Sequence, residues 1–183
     1  MTARKAGGPF TDLYDFCARI DTRKVNKRAL EALIKSGAFD SLGEPRSVLF
    51  ASISQAMQAA EQQAQNASAG IDDLFGEIDS SDNDVYADAR NTPLWSPRET
   101  LKGERDTLGL FLTGHPIDEY EQDLKRLGCK RLQHLKEAND VQLLAGLIVD
   151  IRMVKTRRGD SMAIVTLDDR TARVDVTVFA KLF

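Results

Sequence analysis

The apolar residues of this chain change period once along its length, and that change limits what the chain can fold into. Up to about Met57 they recur at helical spacing: Leu13, Phe16, Cys17 and Ile20, then Leu30, Leu33 and Ile34, then Leu49, Phe50, Ile53 and Met57. From Gln142 onward they read as strands, with Leu144 to Met153, then Met162, Ile164 and Val165, then the alternation Val174, Val176 and Val178. A helix gathers residues three and four apart on one face and a strand gathers every second residue, so neither segment can take the other form without exposing its apolar side. The pattern predicts an α+β chain with helices first and antiparallel strands last.

Punctuation between these runs suggests four parts. Residues 1–66 read as a helical domain, with Thr11 and Asn26 placed to cap the first two helices and Pro45 suited to the first turn of the third. A short joint flanked by Gly37 and Gly43 separates the second helix from the third. Residues 67–95 read as a flexible acidic linker, because they offer little to bury beyond Leu74, Phe75, Ile78, Val85 and Tyr86. Residues 96–140 read as a helical connector. Ser96, Pro97 and Glu99 there form a capping box that predicts a helix to about Leu108, Gly114-His115-Pro116 breaks the pattern, and a short helix ends at Gly128. Residues 141–183 then supply three strands, joined by turns at Lys155 to Asp160 and at Asp168 to Thr171.

Charge is uneven along the chain. The formal net charge is -3, yet from Met1 to Lys35 eight Lys or Arg face four acids, whereas from Asp72 to Arg90 seven acids face one Arg. A basic head of that kind is compatible with phosphate binding despite the acidic mean. The longest apolar stretch, Val141 to Val149, is interrupted and far too short to span a bilayer, and the N-terminus lacks an apolar signal core, so a cytoplasmic location is expected. Cys17 and Cys129 stand apart from one another with only His115 and His134 as nitrogen partners, a pattern that encodes neither zinc site nor disulfide framework. No catalytic residue and no metal site is expected. Asp72-Asp73 and Asp168-Asp169 lack the third carboxylate or lysine that would complete a two-metal site, Asp is common in turns for local hydrogen-bonding reasons, and His115 reads as a turn residue.

Several signatures in fixed order bring the chain to a family. Pro9-Phe10, Asp12-Leu13, Asn26-Lys27-Arg28, Leu30-Glu31, Leu33-Ile34 and Gly37-Ala38-Phe39-Asp40 come first; Leu101, Glu104-Arg105, Leu108-Gly109 and Gly114-His115-Pro116 follow; the strands from Leu144 come last. Over nearly its whole length the chain resembles a non-catalytic stretch of the alpha subunit of bacterial DNA polymerase III, the replicative C-family enzyme. That resemblance implies a later half of a tandem helix-hairpin-helix, an internal peptide for the sliding clamp, and the start of an OB barrel. Such a barrel needs five strands, so the chain is expected to stop inside a domain. It further implies DNA, the clamp and other replicase subunits as partners, no membrane, no cofactor in this stretch, and Mg2+ in the parent polymerase.

Each implied module has a bland alternative that stays open. A helix-hairpin-helix directs backbone amides and a helix N-terminus at a duplex phosphate, with Gly37 and Gly43 bracketing the hairpin and Lys24, Lys27, Arg28 and Lys35 supplying charge. The alternative is a helix C-cap at Gly37 with a solvated basic face, and Phe39 is expected in the core either way. Ile71, Asp72, Asp73, Leu74 and Phe75 would form the clamp peptide, where two buried apolar side chains give about 1.5 to 3 kcal/mol each before ordering costs. Ile71 stands where the family commonly has Gln, and the alternative is a linker that tucks Leu74 and Phe75 against its own protein. Arg152, Lys155, Arg157 and Arg158 would meet a single strand by charge, with little aromatic surface for stacking; a plain charged hairpin is the alternative. Two rival wholes are a stand-alone DNA-binding module with an OB-fold and the anticodon-binding OB domain of a tRNA synthetase.

Overall fold

The computed structural model describes residues 2–21, 24–69, 84–155, 159–179 and 181–182. They form two compact units, Met1–Leu112 and Thr113–Phe183. The chain is α+β, helical first and then an antiparallel sheet that does not close among the described residues.

In the first unit, α1 (Thr2–Gly7), α2 (Leu13–Arg19), α3 (Lys27–Lys35), α4 (Arg46–Ala69) and α5 (Pro97–Leu108) are joined by loops that include one-turn 3-10 segments at Asp40–Leu42 and Ala89–Asn91. The helical-period residues meet as expected: Leu13, Cys17, Leu30, Ile34, Leu49 and Ile53 are buried together, and Phe39 joins them with its ring edge-to-face on Phe16 at 4.9 Å. Burial pushes the Cys17 thiol up to about 11, which marks it as an inert packing residue. Asn26 caps α3 by accepting from the Ala29 amide at 3.0 Å, and the Ser96-Glu99 capping box of α5 is complete.

Three boundaries differ from the sequence reading. Asp12, not Thr11, caps α2: its carboxylate sits next to the first helical residue and accepts from the Asp15 amide at 2.8 Å, a better acceptor in a better place. Pro45 precedes α4, its carbonyl accepting from the Leu49 amide at 3.0 Å. The Gln- and Ala-rich stretch stays helical to Ala69, because those residues are good helix formers even where exposed.

The stretch read as linker is described again from Asp84, and there it is packed. Tyr86 is 5% exposed and its hydroxyl accepts from the Leu13 amide at 3.0 Å, Tyr14 donates to the Val85 carbonyl at 3.2 Å, and Trp95 stacks edge-on against Phe50 at 5.5 Å. Aromatics with polar handles bury a large apolar body at the cost of a single partner, so an acidic composition does not prevent docking. α5 also lies in this unit, which ends at Leu112.

The second unit opens with a 3-10 segment at Pro116–Tyr120, α6 (Glu121–Arg126) and a turn at Leu132–His134, then β1 (Leu147–Lys155), β2 (Ser161–Asp168) and β3 (Arg173–Val178). The strands lie in the order β1-β2-β3, both pairs antiparallel. Pairing Ile151 with Val165 and Val165 with Val176 puts Ile151, Met153, Ala163, Val165, Leu167, Val174, Val176 and Val178 on one apolar face. Arg152, Thr166 and Asp175 fall on the other. A register shift between Ile148 and Asp150 bends β1. The strand begins at Leu147 rather than Leu144, which instead bridges Lys130.

Candidate nucleic-acid interface

The hairpin between α3 and α4 is built around two glycines with left-handed backbone, Gly37 at φ +81 and Gly43 at φ +86. The Gly37 amide donates to the Ile34 carbonyl and the Ala38 amide to the Leu33 carbonyl, each at 3.0 Å. This is the two-bond Schellman closure of a helix end. The first glycine therefore serves as a C-cap, and its amide and the next are not turned outward to a phosphate. A Cβ at Gly37 would also overlap the Arg46 guanidinium.

Arg46 fills the hairpin from inside. It holds Asp40 through Nε and Nη2 at 2.7 and 2.6 Å, and its Nη1 donates to the Lys35 carbonyl at 3.2 Å and to Glu104 Oε1 at 3.0 Å. Those contacts, the bond to Asp40 foremost, push its pKa up against the opposing effect of burial. Sequence alone assigns no role to Arg46 or to Glu104, although Glu104 falls within one of the ordered signatures. The available signal was a cation in the first turn of a helix, where the dipole disfavours it unless acids surround it.

The predicted DNA-binding residues separate into three places. Lys24, Lys27 and Arg28 are exposed together at the start of α3, with Lys24 3.6 Å from Asp21 and Lys27 donating to Ser54 at 3.0 Å. Lys35 lies at the far end of that nine-residue helix, about 12 Å from Lys27 by helical rise, its ammonium 5.3 Å from the Phe50 ring centre. Arg152 and Lys155 belong to the other unit. Arg152 is engaged with Asp175 at 2.9 Å and Asp150 at 3.5 Å, and Lys155 is exposed at the end of β1. Arg157 and Arg158 lie outside the described residues, as do Ile71, Asp72, Asp73, Leu74 and Phe75.

The carboxylates at the second strand turn have structural partners. Asp169, fully buried, accepts from the amides of Leu132, Thr171 and Ala172 and from the Thr171 hydroxyl at 2.6 to 3.0 Å. Asp168 accepts from the Arg170 amide at 2.8 Å and Arg173 Nε at 2.7 Å, with His115 Nε2 3.3 Å away. Burial alone would raise both carboxyls, but these donors outweigh it and hold both pKa values below the ordinary value. His115 Nδ1 accepts from the Ile117 amide at 3.2 Å, so the ring caps its own turn. Oxygens so engaged do not fit the Mg2+ that phosphoryl transfer would need, and among the described residues no group of three His, Cys, Asp or Glu could hold a metal. Among them, too, no helix is long and apolar enough to cross a membrane.

Comparison with known proteins agrees with this architecture. A family model described as a helix-hairpin-helix motif matches residues 1–49, the stretch that ends in the first turn of α4. DNA polymerase III subunit alpha of Pseudomonas aeruginosa is 46% identical across 98% of this chain, that of Pasteurella multocida 42% across 99%, and that of Escherichia coli K12 43% across 98%. The chain spans only 16 to 17% of the length of these relatives. Matched nearly end to end, as one segment of much longer proteins, the chain belongs to the family of the DNA polymerase III alpha subunit.

Proposed function

We propose that this chain is the part of a bacterial replicative DNA polymerase that holds duplex DNA and joins the enzyme to its sliding clamp. The observation that carries the reading is identity of 40 to 46% to DNA polymerase III alpha subunits over 98 to 100% of the chain. The exposed trio Lys24, Lys27 and Arg28 supports it in the helical unit, since cations crowded where a helix dipole is itself positive find their natural partner in a phosphate. In this reading nucleotidyl transfer, with its magnesium, belongs to the rest of the polymerase in the bacterial cytoplasm. Other replicase subunits are further partners, and the sheet begins an OB barrel that guides the single-stranded template.

The clamp contact is assigned to Ile71, Asp72, Asp73, Leu74 and Phe75, a weak peptide on its own that gains from tethering. Calorimetry of this chain with purified clamp, beside Leu74→Ala with Phe75→Ala, is the test: heat lost in the double variant supports the assignment, and no heat from the wild type removes it. For DNA, replacing Lys24, Lys27 and Arg28 one at a time by Ala should weaken duplex binding irrespective of sequence and lower the salt slope by about 1 for each phosphate no longer neutralised. A specific observation favours a second reading, a hairpin that is purely structural: the Gly37 and Ala38 amides are consumed by the helix end. Unchanged affinity in all three variants would select it.

A further inference from the structure

We propose that Arg46 and Glu104 are a positioning pair that sets the shape of the Gly37 to Gly43 hairpin, so that duplex binding by the helical unit depends on α5. This rests on the reading that the hairpin region meets DNA. It goes beyond the matched motif, which ends at residue 49, because Glu104 lies 55 residues further along.

Three segments converge on one guanidinium: the last carbonyl of α3 at Lys35, the turn carboxylate of Asp40, and Glu104 of α5. Arg46 is 9% exposed and Glu104 is fully covered. A carboxylate removed from water persists as a charge only if it is paired and hydrogen-bonded, and Glu104 meets that condition with one oxygen on Arg46 and the other accepting from the Leu112 amide at 2.7 Å. The same guanidinium occupies the space that a side chain at position 37 would need, so the glycine, the arginine and the glutamate are parts of one fitting. The α3 end and the turn cannot shift without moving Arg46, and Arg46 cannot shift without uncovering Glu104.

Replacing Glu104 by Gln keeps its size but turns one acceptor into a donor, which then faces either the Arg46 guanidinium or the Leu112 amide. The variant also loses a negative charge. Charge alone would tighten DNA binding, whereas a displaced hairpin weakens it, so the two accounts differ in sign.

The test uses the whole 183-residue chain. Fluorescence anisotropy with a labelled duplex oligonucleotide at fixed salt is compared for wild type, Glu104→Gln, Asp40→Asn and Tyr86→Phe, each with its urea midpoint. Asp40→Asn breaks the turn side of the fitting from a half-exposed position and covers the case in which Glu104→Gln fails to fold. Tyr86→Phe removes a buried hydrogen bond to Leu13 away from the hairpin and reports what lost stability alone does. The expected result is binding weakened about fivefold in the two hairpin variants, the low end of couplings between sites, with Tyr86→Phe unchanged and the Gly37 amide resonance moved only in the former. Binding by Glu104→Gln and Asp40→Asn as tight as wild type or tighter, or weakening that simply follows stability across all variants, overturns the pair's role. No duplex binding by wild type overturns the DNA reading instead, and an unmoved Gly37 resonance in the hairpin variants would then overturn the positioning as well.

Discussion

Among the helices the fully covered side chains include Leu13, Leu30, Ile34, Leu49 and Ile53, whereas among the described residues of the unit with the sheet the covered apolar ones are Ile117, Leu132 and Ala163, sharing their interior with His115, Asp168 and Asp169. The first unit is held by packing and by one buried ion cluster placed at its hairpin. The second relies on two carboxylates that pin three loops together: His115 to Ile117, Arg131 to Gln133, and Asp168 to Ala172. Packing is non-directional and loses free energy in proportion to volume removed, while a carboxylate hub fails when one acceptor is removed and several amides are stranded.

That contrast can be broken by substitution. Leu49→Ala should cost about 3 kcal/mol by opening a cavity in the helical core; the fluorescence of Trp95, the single tryptophan and one packed against this core, reports the shift in urea midpoint. Asp169→Ala should cost about 2 kcal/mol by leaving the Leu132, Thr171 and Ala172 amides without their acceptor. Its signature is faster amide exchange at Leu132 and Ala172 with the Trp95 transition unmoved. Equal sensitivity of both probes to either variant would dissolve the distinction between the two interiors.

Within the helical unit the two glycines sharpen the comparison. Gly37→Ala has both a left-handed backbone and the Arg46 guanidinium to contend with, so about 2 kcal/mol is expected, against about 1 kcal/mol for Gly43→Ala, where a Cβ meets nothing within 4 Å. Denaturation midpoints of the pair decide it, and equal losses would show that strain alone matters.

Acid separates the units more gently. Asp168 and Asp169 have folded pKa values below the ordinary 3.8, so their contribution is complete above that value and is lost as pH falls through the lower folded values. Protection of the Leu132 and Ala172 amides, taken against their intrinsic exchange rate at each pH, should therefore fall on acidification below about pH 4. Asp169→Asn should flatten that dependence.

Much of the architecture is legible from residue order. The two apolar periods announce helices and strands, the Ser96-Pro97-Glu99 triplet announces the start of α5, and Asn26 announces α3, because these signals act within one or two turns of chain. The same reach explains the errors. Thr11 and Asp12 are both capping residues, and only the start of the helix at Leu13 selects Asp12. Composition marks the acidic stretch as linker, yet Tyr86 and Trp95 find docking surfaces on α2 and α4 that lie far away in sequence.

The candidate interface divides along the same line. Lys24, Lys27 and Arg28 can be named from sequence because neighbours on one helix end remain neighbours in space. That Lys35 sits apart on Phe50, that Arg152 is taken by Asp175, and that Gly37 exists partly to admit Arg46 depends on packing between separate elements. Period, caps and glycine turns are local properties, each written in a few adjacent residues. The pairing of Arg46 with Glu104 across 58 positions, and of Asp169 with Leu132 across 37, is created only when packing excludes water and obliges each buried polar group to find whichever partner the fold has brought near.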